Sequence, residues 1–186
     1  MDVTGLFGGA FDPPHVGHVA LACAAKEHFV LPRLTVLVAE HPDHKEAHLA
    51  AAERLELARA AFPNDDVRLD PYPRTIDLLR GERFESPIFF VGADQFSNFL
   101  SWKEPDDVLE HTRLAVATRP GYPREELDAV LEQLDQPERV VFFDIAANPA
   151  ASREIRMLAE TGKSLQGLVP DAVAERIRER GLYCAH

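Results

Sequence analysis

Apolar residues in this chain follow two kinds of spacing. Short, nearly continuous runs occupy residues 3–7, 34–39, 67–69, 88–91, 114–117 and 140–145. Runs of that length predict strands, and apolar character at successive positions predicts burial on both faces. Between them the spacing becomes helical. Val19, Ala22, Cys23, Phe29 and Val30 share one face of a helix after the first run. Ala51, Leu55, Ala58 and Phe62 do the same over residues 47–62, and Leu127, Val130, Leu131 and Leu134 form an i, i+3, i+4, i+7 stripe. Ile155, Leu158 and Ala159 mark a further helix stopped by Gly162, and residues 170–180 a last one ended by Gly181. Strands that alternate with helices predict an α/β fold with a doubly wound parallel sheet and helices on both sides. Ligands of such sheets bind outside the carboxyl ends of the strands, near the switch point. Segments 70–74 and 118–124 read as loops. No repeat, low-complexity tract or linker interrupts the pattern, so residues 1–186 are expected to form a single domain.

Composition narrows the choice of function. The chain has 186 residues, 46% of them hydrophobic, which is enough for a sizeable core. A net charge of −11 argues against a surface that coats DNA or RNA. It also requires any polyphosphate site to be locally basic. No apolar span has membrane length, and Met1-Asp2 followed at once by a strand is not a signal peptide. Cys23 and Cys184 lie far apart. Cys23 is expected to be buried and inert on the first helix, and the pattern as a whole is that of a cytoplasmic protein. Oligomeric state is not written in these features.

The chemistry concentrates in Gly8-Gly9-Ala10-Phe11-Asp12-Pro13-Pro14-His15-Val16-Gly17-His18, between the first strand and the first helix. A turn of this kind aims backbone N–H groups and a helix N-terminus at one spot, which favours phosphate. Glycines let a ligand approach the backbone closely, and two imidazoles three residues apart can donate to the same anionic oxygens. This string resembles the signature of the HxGH nucleotidyltransferases, whose fold is Rossmann-like. Within that superfamily the chain as a whole is similar to the bacterial nicotinate-mononucleotide adenylyltransferases.

The resemblance extends to further segments. His41-Pro42-Asp43-His44-Lys45 resembles the family's Pro-x-His-Lys loop, which implies that His44 and Lys45 reach the ATP phosphates. A metal reading of His41, His44 and His48 lacks an evident fourth ligand. Gly92-Ala93-Asp94 with Trp102-Lys103 resembles the family's Gly-x-Asp and Trp-Lys segment. Gly92 would admit the nucleotide, Asp94 the ribose hydroxyls, and Trp102 a stacked pyridine ring. Arg119-Pro120-Gly121 matches the Arg-Pro-Gly loop. In Ala150-Ala151-Ser152-Arg153-Glu154-Ile155-Arg156, Ser152, Ile155 and Arg156 fit a phosphate-binding signature, whereas Ala150, Ala151 and Arg153 depart from it. Asn148-Pro149 is expected to cap that helix, placing Ser152 inside it rather than at its mouth. In Pro73-Arg74-Thr75-Ile76-Asp77, Thr75 and Asp77 fit, and Arg74 could pair with a pyridine carboxylate.

The resemblance implies adenylyl transfer from ATP to a pyridine mononucleotide, with Mg²⁺ carried on the ATP phosphates. ATP would contact Gly8, Gly9, Phe11, His15, His18, His44, Gly92, Asp94, Ser152, Ile155 and Arg156. The mononucleotide would contact Arg74, Thr75, Trp102, Lys103 and Arg119. His18 would donate to the α-phosphate, His15 would hold the phosphate chain, and Lys45 and Arg156 would steady the departing pyrophosphate. Two alternatives remain open: the same chemistry on another phosphate (nicotinamide mononucleotide or pantetheine phosphate), and nucleotide binding without turnover.

Overall fold

Six strands pair side by side, all parallel: β1 (Gly5–Gly9), β2 (Thr35–Ala39), β3 (Asp66–Asp70), β4 (Ile88–Gly92), β5 (Arg113–Thr118) and β6 (Val140–Asp144). The computed structural model describes residues 3–42, 47–146, 148 and 150–184. The order across the sheet is β3-β2-β1-β4-β5-β6. The chain runs outward from β1 to one edge, returns to the middle, and runs from β4 to the other edge. The switch point therefore lies between β1 and β4, where the carboxyl ends leave a crevice. Eight helices are described: α1 (Val16–Phe29), α2 (Ala51–Ala61), α3 (Thr75–Gly81), α4 (Ala93–Phe96), α5 (Pro105–His111), α6 (Arg124–Leu131), α7 (Ser152–Glu160) and α8 (Asp171–Arg180).

The two-residue period of the strands sorts the core into two layers. Phe7, Val36, Val38, Phe90 and Ala115 point to the side packed by α1, α2, α7 and α8. Their neighbours Leu6, Leu37, Phe89, Val91, Leu114 and Val116 point to the side packed by α3, α4, α5 and α6. Helices cover both faces, which is why β4 and most of β2 and β5 are continuously apolar in the sequence.

Four expectations from the sequence are corrected here. Cys23 is exposed, not buried. The buried stripe of α1 is Leu21, Ala22 and Ala25, and Val30 stands 87% exposed because the helix has already ended there in a left-handed residue. The second helix begins at Ala51, not near residue 47. The fourth correction concerns α7. The Asn148 side chain accepts the N–H of Ala150 at 2.9 Å, a local turn that competes with helix initiation. The helix starts only at Ser152, which lies at its mouth.

Candidate active site

The signature turn follows β1 and leads into α1 at the switch point. Its geometry is set from inside. His15 flanks α1, and its backbone N–H donates to Nδ1 of His18 at 3.1 Å. Nδ1 of His18 is therefore an acceptor, so a neutral ring carries its proton on Nε2. The two imidazoles lie 3.7 Å apart, tilted by 32°. His18 also packs edge-on against Phe11, at 5.1 Å between centroids. Burial lowers the His15 pKa to about 4. Burial, then the neighbouring His15, lowers that of His18 well below its ordinary value. Both rings are neutral at physiological pH, and His18 offers one N–H in a fixed direction.

The glycines of the turn serve the protein's own rings first. A Cβ at Gly8 would sit 3.0 Å from the Phe89 ring, and one at Gly9 would sit 3.1 Å from the Phe11 ring. A Cβ at Gly17 would meet the His15 ring at 3.0 Å. Gly17 thus lets His15 lie flat over the start of α1. Gly92, at the end of β4, has nothing within 4 Å of where a Cβ would project, so it is the site glycine with room beside it. The helix terminus is also less open than the sequence implies. The Val16 N–H is already bonded to the Leu168 carbonyl at 3.0 Å, and those of His18 and Val19 return to the His15 carbonyl. The side chains, more than the helix end, remain for an anion.

The turn is held from behind. Arg54 is 1% exposed, and its guanidinium donates to the carbonyls of Leu49, Ala10, Ala39 and Glu40. It thereby joins the exits of β1 and β2 to the start of α2. Asp12 is buried, and its carboxylate accepts the His48 N–H at 2.6 Å and the Tyr183 hydroxyl at 2.7 Å. Arg156 donates through Nη1 to the Asp12 carbonyl at 2.6 Å, and Ser152 donates to the Pro13 carbonyl at 2.9 Å. Both α7 side chains thus already tether the turn.

Comparisons with known proteins place the chain in a family. The model of the cytidylyltransferase-like family matches residues 6–160. A protein of Rubrobacter xylanophilus named a probable nicotinate-nucleotide adenylyltransferase is 36% identical over 97% of this chain and 92% of its own length. One of Thermus thermophilus with the same name is 37% identical over 96% of this chain and 98% of its own. The chain belongs to the nicotinate-nucleotide adenylyltransferase family. The fold agrees with the nicotinic acid mononucleotide adenylyltransferase of Plasmodium falciparum, solved with NaAD, at a TM-score of 0.78 and 13% identity over 98% of both chains.

Within this adenylyltransferase fold, the expected site residues divide. Gly92 ends β4 and Asp94 follows it, at the same sheet edge as the signature turn, with Asp94 exposed. Arg119 is exposed just after β5. Trp102 is half-buried, held edge-on by Phe99 at 5.2 Å and Phe89 at 6.3 Å, which fixes its plane. Thr75 opens α3, and Arg74 flanks it with Nη1 donating to the Pro73 carbonyl at 3.0 Å.

Three of the expected residues have partners within the fold. Ile155 is 0% exposed and its N–H donates to the Ala151 carbonyl, so its side chain packs in the core. Phe11 is 2% exposed, and its ring packs inside the turn. Lys103 is bonded to Asp77 at 2.7 Å and so ties the Trp102 loop to α3. His44 and Lys45 lie outside the described residues. His48 pairs with Asp12 at 3.4 Å, and among the described residues no three His, Cys, Asp or Glu side chains gather as a metal site.

Sequence reasoning missed Arg54, Asp12 and Tyr183. For Arg54 a signal existed: Arg54, Leu57, Ala58 and Ala61 make an i, i+3, i+4, i+7 buried stripe with an arginine in its first place. Asp12 and Tyr183 are 171 positions apart and carry no pattern that joins them.

Proposed function

We propose that residues 1–186 work as one nucleotidyltransferase domain that transfers AMP from ATP to nicotinate mononucleotide. The products are nicotinate adenine dinucleotide and pyrophosphate. The observation that carries this reading is the neutral His18 ring at the switch point, with its tautomer set by the His15 N–H. A phosphate oxygen of the mononucleotide attacks the α-phosphorus of ATP, the new P–O–P bond forms, and the bond to pyrophosphate breaks. The attacking oxygen is already anionic, so no general base is required. The site needs to align two polyanions and to stabilise charge at the α-phosphate.

His18 Nε2–H donates to a non-bridging α-phosphate oxygen. His15, whose buried Nδ1 has no hydrogen-bond partner among the described residues, gains one from the phosphate chain. Arg156 keeps guanidinium N–H groups beyond the one given to Asp12, and with Lys45 it receives the departing pyrophosphate. Mg²⁺ enters with ATP, because hard oxygen ligands suit it and the signature offers imidazole nitrogen instead. Gly92 and Asp94 receive the adenosine side, with Gly8 and Gly9 beneath. Trp102 stacks on the pyridine, and Arg74, Thr75 and Arg119 face its carboxylate and phosphate. Two unpaired cysteines suit a cytoplasmic enzyme, and no helix of the described residues is long and apolar enough to cross a membrane.

The test is pyrophosphate release from Mg-ATP with nicotinate mononucleotide, nicotinamide mononucleotide or pantetheine phosphate. Turnover at least tenfold faster with the nicotinate form is expected. Equal kcat/KM for the two pyridine forms would overturn the acid preference. Release with pantetheine phosphate alone would move the chain to another substrate, and no release with any of them would leave a nucleotide binder.

A further inference from the structure

We propose that Tyr183, at the far end of the chain, is a positioning residue for adenylyl transfer, acting through Asp12 on the histidine turn. The proposal rests on the function proposed above and adds a part of the molecule beyond the span matched by the family model.

The tether has two ends, and both are strained. Phe11, directly before Asp12, has φ 50°, and Tyr183 has φ 64°. Bulky residues avoid the left-handed region and persist there only where their surroundings over-determine them. One hydrogen bond joins these places: the Tyr183 hydroxyl donates to Oδ1 of Asp12 at 2.7 Å. Burial, followed by the Asp12 charge, pushes the phenol far above its ordinary pKa. Tyr183 therefore keeps its proton and remains a donor.

Asp12 stands three residues before His15. Its other carboxylate oxygen accepts the His48 N–H, and its carbonyl accepts Arg156. Arg54 secures Ala10 on the other side of Phe11. The backbone of the turn is thus gripped by α2, by α7 and by the C-terminal segment. Two grips use backbone carbonyls, whereas the Tyr183 bond sets the direction of the Asp12 side chain. The His15 N–H that selects the His18 tautomer follows on the same short stretch. A shift of the turn by a fraction of an ångström misdirects the His18 donor. Reactive geometry of this kind loses large factors in rate for displacements of about 1 Å.

The decisive variant is Tyr183→Phe, which keeps the ring and removes the hydroxyl. Three readouts are compared with wild type: steady-state kinetics with Mg-ATP and nicotinate mononucleotide, thermal unfolding, and ¹⁵N shifts of the His18 ring in the ligand-free protein. The expected result is kcat lower by about tenfold, an ATP KM within twofold, and a His18 signal moved away from the pure Nε2–H tautomer. A second variant, Asp12→Asn, should give the same kcat loss and little further loss when combined with Tyr183→Phe. Unchanged kcat with unchanged His18 shifts would overturn the proposal, as would a lower melting temperature alone. Additive losses in the double variant would overturn it too. Should wild type fail to release pyrophosphate, the functional reading falls, and the ring shifts alone then decide whether Tyr183 positions the turn.

Discussion

The two walls of the crevice are built on opposite principles. On the β1 side the chemistry is presented by neutral groups: two stacked imidazoles, both held uncharged by burial. The charges on that side hold the turn: Arg54 and one N–H of Arg156 donate to its backbone carbonyls, and the Asp12 carboxylate accepts the His48 N–H and the Tyr183 hydroxyl. On the side of α3 and the Trp102 loop the charges are outward and paired with one another. Lys103 meets Asp77, and Arg80 meets Glu104 and Asp107. A buried neutral donor in a fixed tautomer acts at full strength on charge that develops in the transition state. Exposed ion pairs contribute little energy each but hold a loop that carries a flat ring. The first wall suits catalysis and the second suits shape.

The sharpest way to break this contrast is at His18. His18→Ala is expected to lower kcat by about 10² to 10³ while the melting temperature stays near that of wild type. Retained turnover would show that the first wall is not the catalytic one. The next largest effect falls on stability. Arg54→Met removes the donor for four carbonyls and leaves several of them buried without a partner, at a cost of about 3 kcal/mol. Urea unfolding measures this, and a loss below about 0.5 kcal/mol would mean the arginine is not what holds the turn.

The α7 tethers come third. Arg156→Ala should lower kcat/KM for ATP by about tenfold or more, and Ser152→Ala by only a few-fold, because a charged donor outweighs a neutral one. Equal losses would place both residues in the tether alone.

A pH series sharpens the same contrast. The folded pKa of His15 lies near 4 against an ordinary value of 6.5, and that of His18 also lies well below its ordinary value. The unfolded chain therefore binds protons that the folded chain refuses. Stability associated with the neutral rings is whole above pH 6.5 and is lost as pH falls from there towards 4. Urea midpoints of the ligand-free protein, compared between pH 7 and pH 5, should fall further for wild type than for His15→Gln. The smallest effect belongs to the second wall. Lys103→Ala should change stability by less than about 1 kcal/mol and act on the KM of the mononucleotide rather than on kcat.

Most of the frame was legible in the sequence. Two-sided burial makes a parallel strand apolar along its whole length, and all six runs are strands in the structure. The Gly8–His18 string placed the turn correctly, since its neighbours belong to adjacent elements and local order is read locally. The glycines were read as room for a ligand, and they also have a packing reason: a Cβ at Gly8 or Gly9 would meet the Phe89 or Phe11 ring, and such packing leaves no trace in spacing. The pairing of Lys103 with Asp77, 26 positions away, has no trace in the spacing either. The start of α7 was misplaced because the Asn148 side chain accepts the Ala150 N–H in a local turn instead of capping the helix. The Tyr183–Asp12 bond could not be read at all without the fold.

The parallel sheet also decides where the protein can safely be extended. Val3 leads into β1 at the end of the sheet opposite the crevice, alongside Pro87 and Arg113 at the starts of β4 and β5. Tyr183, by contrast, touches the turn itself. A purification tag or fluorescent partner joined ahead of Val3 emerges at the far end of every strand. The same addition placed just after Tyr183 emerges beside Asp12. Attachment ahead of Val3 and attachment after Tyr183 are thus unequal.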